Sequence, residues 1–403
     1  MMRAYKRIIS YVLVVFITLL AWSICLTNAQ KIQVLQDVVE LLYDREKLDA
    51  ETIKNLQKGE SESSEKIVKS FIAWEQSPKE DLRNKELAKN VTGEVVKVYG
   101  NLTMLFPVEK LQGQTLYEGD REGTIISEGV AYSLWGSTDV VGQSLIVGDK
   151  AYVVRGVLKE KSNRIITQAD MADKETKFSA LRVQLVDKEN VEGMISTLKF
   201  KYNLPESVLR NLSLTSILLS GLALLPGYLL GFYGLIKLYK FIYSTHRYWV
   251  LAILLSIIAL GLTWITIEMM QFITYIPSYI IPNKWSDFTF WSKLIDGFIE
   301  NSRQLQALPA LIGDGWYNGI KAMIVGGFSI TCIGMLAFSK IAKVEEGKTL
   351  FYSTLGAIML SFITIMLVYR LEGQVTMIEA FWGVMPMYLL ITFIINKWTK
   401  LLS

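Results

Sequence analysis

Reactive side chains are scarce in this 403-residue chain. There is one histidine, His246, so sites that need a histidine pair or cluster are excluded. The two cysteines, Cys25 and Cys332, both lie inside apolar runs, so they support no disulfide framework and say nothing of redox compartment. Gly347-Lys348-Thr349 has the form of the end of a phosphate-binding loop. The glycine required five positions earlier is Ala342, and no strand precedes it. The cradle depends on that glycine geometry, so 347–349 reads as a solvated loop and the chain as a non-enzyme with no nucleotide site of its own. No cofactor or metal site is expected.

What remains are charges set among apolar residues. Glu268 and Glu379 fall near the ends of apolar runs, with Arg370 and Lys321 as potential partners. A carboxylate in hydrocarbon costs roughly 2.5–3.5 kcal/mol on insertion scales, so it normally faces a bundle or water. These groups either line an outward-facing cavity or sit at the interface. A one-turn boundary shift gives the second reading, which is preferred.

The elements that position these residues are apolar spans. Hydrophobic residues make up 51% of the chain and mean hydropathy is +0.31. Six runs approach the roughly 20 residues needed to cross a bilayer: 8–26, 212–236, 248–276, 320–338, 350–369 and 375–395. Between the first and second lies a polar region, 28–210, with no comparable run. The chain therefore divides into an N-terminal helix (1–27), an extracytoplasmic domain (28–210) and a membrane domain of about five helices (211–403) with an outer loop at 277–317. The expected fold class is an α-helical integral membrane protein carrying an α+β extracytoplasmic domain between helices 1 and 2.

Basic residues set the orientation. Arg3, Lys6 and Arg7, then Lys237, Lys240 and Arg247, then Lys340, Lys343 and Lys348, and finally Lys397 and Lys400 fall on one side of a six-span chain. The positive-inside rule makes that side, with both termini, cytoplasmic. The modest net charge of +4 gives no case for nucleic acid; membrane lipid is the expected partner. The first span also has the basic start and the Thr27-Asn28-Ala29 stretch of a signal peptide, but its apolar core is long for one, and a retained anchor is preferred.

Within the polar region, helical spacing over 31–57 predicts an amphipathic helix, either a stalk or an ordinary surface helix. Residues 58–66 read as a loop. Strands are expected at 94–99, 124–127 and 178–186, a hairpin at 145–157, and helices at 128–135, with Ser127 as N-cap, and at 190–200. In the outer loop, Trp291, Leu294, Ile295, Phe298 and Ile299 predict an amphipathic helix lying on the membrane surface or packed on the outer domain. Pro226 and Pro386 can kink their spans. The Gly227-x-x-x-Gly231 pair allows close helix packing, in a dimer or within one subunit, and Gly326, Gly327 and Gly334 invite the same two readings. Sequons at Asn90, Asn101 and Asn211 are taken as chance.

Read together, Gly113 to Asp120, Thr124 to Ala131, Leu134-Trp135-Gly136, Asp139 to Leu145 and Tyr152 to Leu158 resemble the extracytoplasmic core domain of MacB/FtsX-type ABC transporter permeases. The resemblance covers about 100 residues. It implies a bacterial cell-membrane permease-like subunit, acting as a homo- or hetero-oligomer, that couples a separate cytoplasmic ATPase to its outer domain. Such families export peptides, antibiotics or lipoproteins, or activate cell-wall hydrolases. The family usually has three spans after the domain, where five follow here, and this chain lacks the family's Arg-Glu-Ile-Gly-like coupling stretch. Any ATPase would have to dock on the loop with Lys237, Lys240, His246 and Arg247 and on the loop with Lys343, Glu345 and Glu346. The other expectation is a non-transporting membrane protein that binds a peptide, a cell-wall component or a partner protein through its outer domain.

Overall fold

The computed structural model describes residues 2–105, 110–187, 190–245, 248–269, 281–282 and 289–402. His246, Arg247, Lys284, Trp285 and Phe288 lie outside the described residues. The chain forms two compact units, a helical one (1–34, 215–276 and 316–403) and an α/β one (35–214 and 277–315).

The helical unit is built on six helices long and apolar enough to cross a membrane. They are α1 (Met2–Gln33), α5 (Leu212–Ser244), α6 (Trp249–Met269), α8 (Asp314–Ile341), α9 (Gly347–Glu372) and α10 (Glu379–Leu402). A helix stands at each of the six expected spans and several run longer than expected; residues 270–276 of the third lie outside the described residues. Helix α5 has 33 residues, about 50 Å at 1.5 Å per residue, so Lys237 and Lys240 stand on a helix and not in a loop. The connection between α8 and α9 shrinks to residues 342–346.

Helix α1 holds this unit together. Trp22 is wholly buried, donates from Nε1 to the Ala223 carbonyl of α5 at 3.0 Å, and lies 5.6 Å from the Phe381 ring of α10. Tyr11 donates to the Ser353 carbonyl of α9 at 2.9 Å. Against α8 the contact is through small residues: a Cβ on Gly327 would meet Cys25 Cβ at 2.9 Å, and one on Gly334 would meet Thr18 Oγ1 at 2.1 Å. Backbones approach this closely only without side chains between them. Gly326, by contrast, has nothing within 4 Å of a built Cβ. Removing α1 as a signal peptide would open this core.

In the α/β unit, the expected helix over 31–57 is mostly absent. Beyond Gln33 the chain forms β1 (Val38–Leu42), β2 (Leu48–Asp49) and α2 (Ala50–Glu62). The apolar positions Leu35, Val38, Val39 and Leu42 fit helical spacing, but the strand is buried on both faces and so shows no period-2 signal. Helix α2 also takes the first part of the expected loop at 58–66. The other strands are β3 (Val68–Asn84), β4 (Lys89–Gly100), β5 (Lys110–Gly113), β6 (Gly123–Ser127), β7 (Ser144–Val147), β8 (Lys150–Leu158), β9 (Arg164–Gln168), β10 (Lys177–Phe178), β11 (Ala180–Leu185) and β12 (Val208–Arg210). Helices α3 (Glu128–Trp135), α4 (Val191–Lys201) and α7 (Phe290–Ala307) complete the unit.

One sheet runs β12-β1-β11-β3-β4-β9-β6-β8-β5, and β7 pairs with both β3 and β8. Strands β3, β4, β9, β6, β8 and β7 thus close a ring. Its interior holds Val95, Ile126, Leu145, Val154 and Ile165, with Val130 and Leu134 of α3. Ser127 caps α3 by accepting from Val130 N–H, and Gly136 ends it at φ 76°, a left-handed turn that favours glycine. The other half of the sheet, β12-β1-β11 with the first part of β3, packs one face on α2 and α4 through Val39, Leu41, Ile53, Leu56, Ile195 and Leu198. Strand β3 belongs to both lobes. Its pairing with β4 shifts between Gln76 and Lys79, at Pro78, which has no N–H to donate to the ladder.

Candidate functional site

The second face of that half-sheet carries charge where a core would be expected. Strand β1 runs between β11 and β12. Glu40 stands in register with Arg182 on one side and Arg210 on the other, so the three side chains share one face. The Glu40 side chain is 1% exposed and Arg182 8%. Arg182 Nε donates to Glu40 Oε1 at 2.8 Å, and its Nη1 donates to the carbonyls of Met104 and Leu105. The guanidinium also lies 5.4 Å from the buried Trp74 ring. Arg210 Nη1 reaches Glu40 Oε2 at 3.2 Å and Asp314 Oδ1 at 2.6 Å. Two cations and two anions alternate, so the cluster is neutral, and Glu40 is satisfied from both sides. Buried charges persist only when matched in this way.

The connection before α8 closes over this face. Asp314 accepts from its own Leu311 N–H at 2.9 Å. Ile312 N–H donates to Gln76 Oε1 at 3.0 Å, and Asn301 of α7 donates to the Leu209 carbonyl at 3.0 Å. Leu305, Leu308, Leu311 and the buried Ile312 pack with Leu42, Ile72 and Trp74. The outer-loop helix is therefore present as expected and is packed on the α/β unit. Its Trp291, Ile295, Phe298 and Ile299 remain exposed.

The cluster gathers three chain entries. Helix α1 ends at Gln33, shortly before β1 with Glu40; Arg210 ends β12 two residues before α5 starts at Leu212; Asp314 starts α8. Among the described residues no group of His, Cys, Asp and Glu could hold a metal ion. The cluster ties these chain segments together through ion pairs. Sequence reasoning did not select Glu40, Arg182, Arg210 or Asp314. The available signal was a lone charge at the centre of an apolar strand, as in Val38-Val39-Glu40-Leu41-Leu42 and Leu181-Arg182-Val183.

The residues singled out from sequence fall elsewhere. Lys237 turns into the helical unit, where its Nζ donates to Tyr388 Oη at 2.7 Å and lies 4.4 Å from the Tyr233 ring centre. Tyr388 is wholly buried and donates to the Ser339 carbonyl of α8 at 3.2 Å. Lys240, Lys343 and Glu346 are exposed. Glu345 pairs with Lys400 at 2.5 Å; the hydrogen bond and charge of that ammonium hold its carboxyl below the usual range. The 342–346 connection is also pinned by Asn396 Nδ2 on the Val344 carbonyl at 2.8 Å.

Glu268 and Glu379 are exposed at helix ends, Glu268 beside the last residue of α6 and Glu379 as the first of α10. Arg370 is exposed in the last turn of α9. Among the described residues no ion pair joins these carboxylates to Arg370 or Lys321, whose ammonium lies over the Tyr317 ring. Gly227 and Gly231 are buried within the chain's own fold.

No protein-family model matches the chain, and no curated protein matches it. Among solved structures, the chain is similar to the periplasmic region of MacB from Actinobacillus actinomycetemcomitans, at 13% identity and a TM-score of 0.38 over 45% of this chain and 91% of that one. It is also similar to the extracellular domain of the noncanonic ABC-type transporter YknZ from Gram-positive bacteria, at 19% identity and a TM-score of 0.35 over 43% of this chain and 98% of that one.

Proposed function

We propose that this chain is the permease-like membrane subunit of an ABC-type export or mechanotransmission system, in which a separate cytoplasmic ATPase moves the spans and the spans move the outer unit. The observation that carries this reading is the Arg182–Glu40–Arg210–Asp314 cluster. It binds the chain segments next to α1, α5 and α8 into one sheet. In this reading a displacement of any of these helices reaches the sheet through the chain itself. The order of elements over 113–158 supports the reading too: β5, β6, α3, β7 and β8 follow one another as the sequence resemblance implies. Both termini lie in the cytoplasm under the positive-inside rule.

A specific observation favours the second reading, a non-transporting membrane protein that binds a peptide, cell-wall component or partner through the outer unit. Among the described residues the surfaces left for an ATPase are small, because Lys237 is turned inward and 342–346 is short and pinned. Reconstitution of the full chain in nanodiscs with the ATPase encoded beside it separates the two. The first reading expects the ATPase to be retained and its hydrolysis rate to change, with Lys240→Glu weakening retention. If no ATPase is retained and no ATP-linked activity appears, the second reading replaces it.

A further inference from the structure

Helix α10 packs against both α6 and α9, and the three line an open groove of about 610 Å³. Its floor is Gly383 and Pro386 of α10; its walls are Leu262 and Ile265 of α6 and Phe351 and Leu355 of α9. The floor is low because Gly383 lacks a side chain, and Pro386 stands within the helix where its ring breaks the i−4 hydrogen bond. Along α9 the groove runs from Gly347 to Ile358, about 17 Å at 1.5 Å per residue. That is close to one leaflet of a hydrocarbon core roughly 30 Å thick. A groove that spans one leaflet and is lined by apolar side chains matches a single acyl chain.

Charge selects the headgroup. The groove reaches Gly347, the first residue of α9, and the N-cap residue Glu346 makes no side-chain capping bond. The first turn of α9 therefore presents backbone N–H groups and the positive end of its dipole at the mouth. Lys348 is exposed there and enters no ion pair among the described residues. Lys340 and Lys343 precede it, and Lys397 follows Asn396, which is bonded to the same connection. Of the two acids at this end, Glu345 is matched by Lys400 and Glu346 is exposed, which leaves the basic residues in excess. Basic pockets between spans on the cytoplasmic side select anionic lipid headgroups.

We propose that the groove between α6, α9 and α10 is a binding site for an anionic phospholipid, with one acyl chain along α9 and the phosphate at Lys348 and the α9 N-terminus. The site does not depend on ATPase docking. It gives the subunit a response to the composition of the leaflet that holds its basic end.

The test uses the full chain in nanodiscs containing phosphatidylglycerol with a diazirine at the acyl terminus, adducts being mapped by mass spectrometry. Adducts are expected on α6 and α9 along the groove and not on the outward faces of α8. Leu355→Trp, which fills the groove, abolishes them. Lys348→Ala leaves the fold intact and cuts the preference for phosphatidylglycerol over a phosphatidylcholine probe roughly fivefold. Adducts spread evenly over all lipid-facing helices, with no preference between the two probes, would mean annular lipid only and overturn the proposal. So would groove cross-links to a second copy of the chain. Should Leu355→Trp fail to fold, the Lys348→Ala preference decides alone.

Discussion

Arg210 and Asp314 meet at 2.6 Å, although 104 positions separate them in the chain. One residue closes the last strand before α5 and the other opens α8. The same Arg210 nitrogen also reaches Glu40, so the ion pair extends a buried charge ladder and is not an isolated surface bridge. The two ends of the ladder differ in exposure, and this difference predicts different costs.

Glu40→Gln leaves Arg182 buried without its carboxylate. Removing one partner of a buried pair costs roughly 3–5 kcal/mol, and the 1% and 8% exposures of Glu40 and Arg182 place this pair in that class. Asp314→Asn, at a pair 17% and 18% exposed, should cost only about 1 kcal/mol because solvent screens it. Hydrogen exchange on β1 and β11 in the full chain measures both. Equal losses for the two substitutions would contradict the graded burial.

Glu60 supplies a pH dependence. Burial raises its pKa, but hydrogen bonds from Tyr202, Lys201, Val68 N–H and Ile67 N–H outweigh burial and hold it below the ordinary value of 4.5. A depressed carboxylate contributes stability that is complete above the unfolded pKa and is lost as pH falls through the folded one. The α/β unit should therefore lose stability as pH drops below about 4.5, and Glu60→Gln should flatten that slope. Glu60→Ala leaves two backbone donors unpaired and should cost about 1–3 kcal/mol at neutral pH. Thermal unfolding across pH reads both effects.

Gly334 and Gly326 form an internal control for helix packing. A Cβ at Gly334 meets the branched Thr18 side chain, with Oγ1 at 2.1 Å and Cβ at 2.9 Å. Gly334→Leu should destabilise the helical unit by about 1–3 kcal/mol, as overpacking does. Gly326→Ala, facing open space, should be neutral. Melting of the detergent-solubilised chain, followed by size-exclusion chromatography, distinguishes them.

Lys237 and Tyr388 should couple in a double-mutant cycle. Their 2.7 Å hydrogen bond lies among helices, where such bonds average about 0.6 kcal/mol and reach about 1.7. Lys237→Met and Tyr388→Phe should each lower the melting temperature, and together by less than the sum. Lys240→Ala, exposed on the same helix, should leave stability unchanged. A cycle that is strictly additive would remove Lys237 from the packing network.

The spans were readable from sequence because a bilayer imposes a length, and apolar runs report that length without tertiary information. The elements around the hairpin were readable because turn glycines, the Ser127 cap and strand alternation all point the same way. Strand β3 was not. Lys79, Glu80, Asp81 and Arg83 interrupt it, and its buried positions do not alternate. Its register comes from the adjacent hairpin strand β4 and from β7 and β11, the last two far away in the chain. The charge ladder escaped notice for a related reason. Glu40 and Arg182 are 142 positions apart, and only strand pairing puts them side by side. Lys237, expected in a loop, stands on a helix because α5 continues to Ser244, and it turns toward its helix neighbours.

Strand β3 is a single covalent rod through both lobes, and its ladder with β4 is broken only around Pro78. Tension along such a rod passes through the backbone into both lobes, whereas torsion is taken up where the ladder is missing. An axle with one flexible joint behaves in this way. The lobe closed by β7 would therefore follow how far the base of the sheet is drawn, and would be insulated from how it is turned.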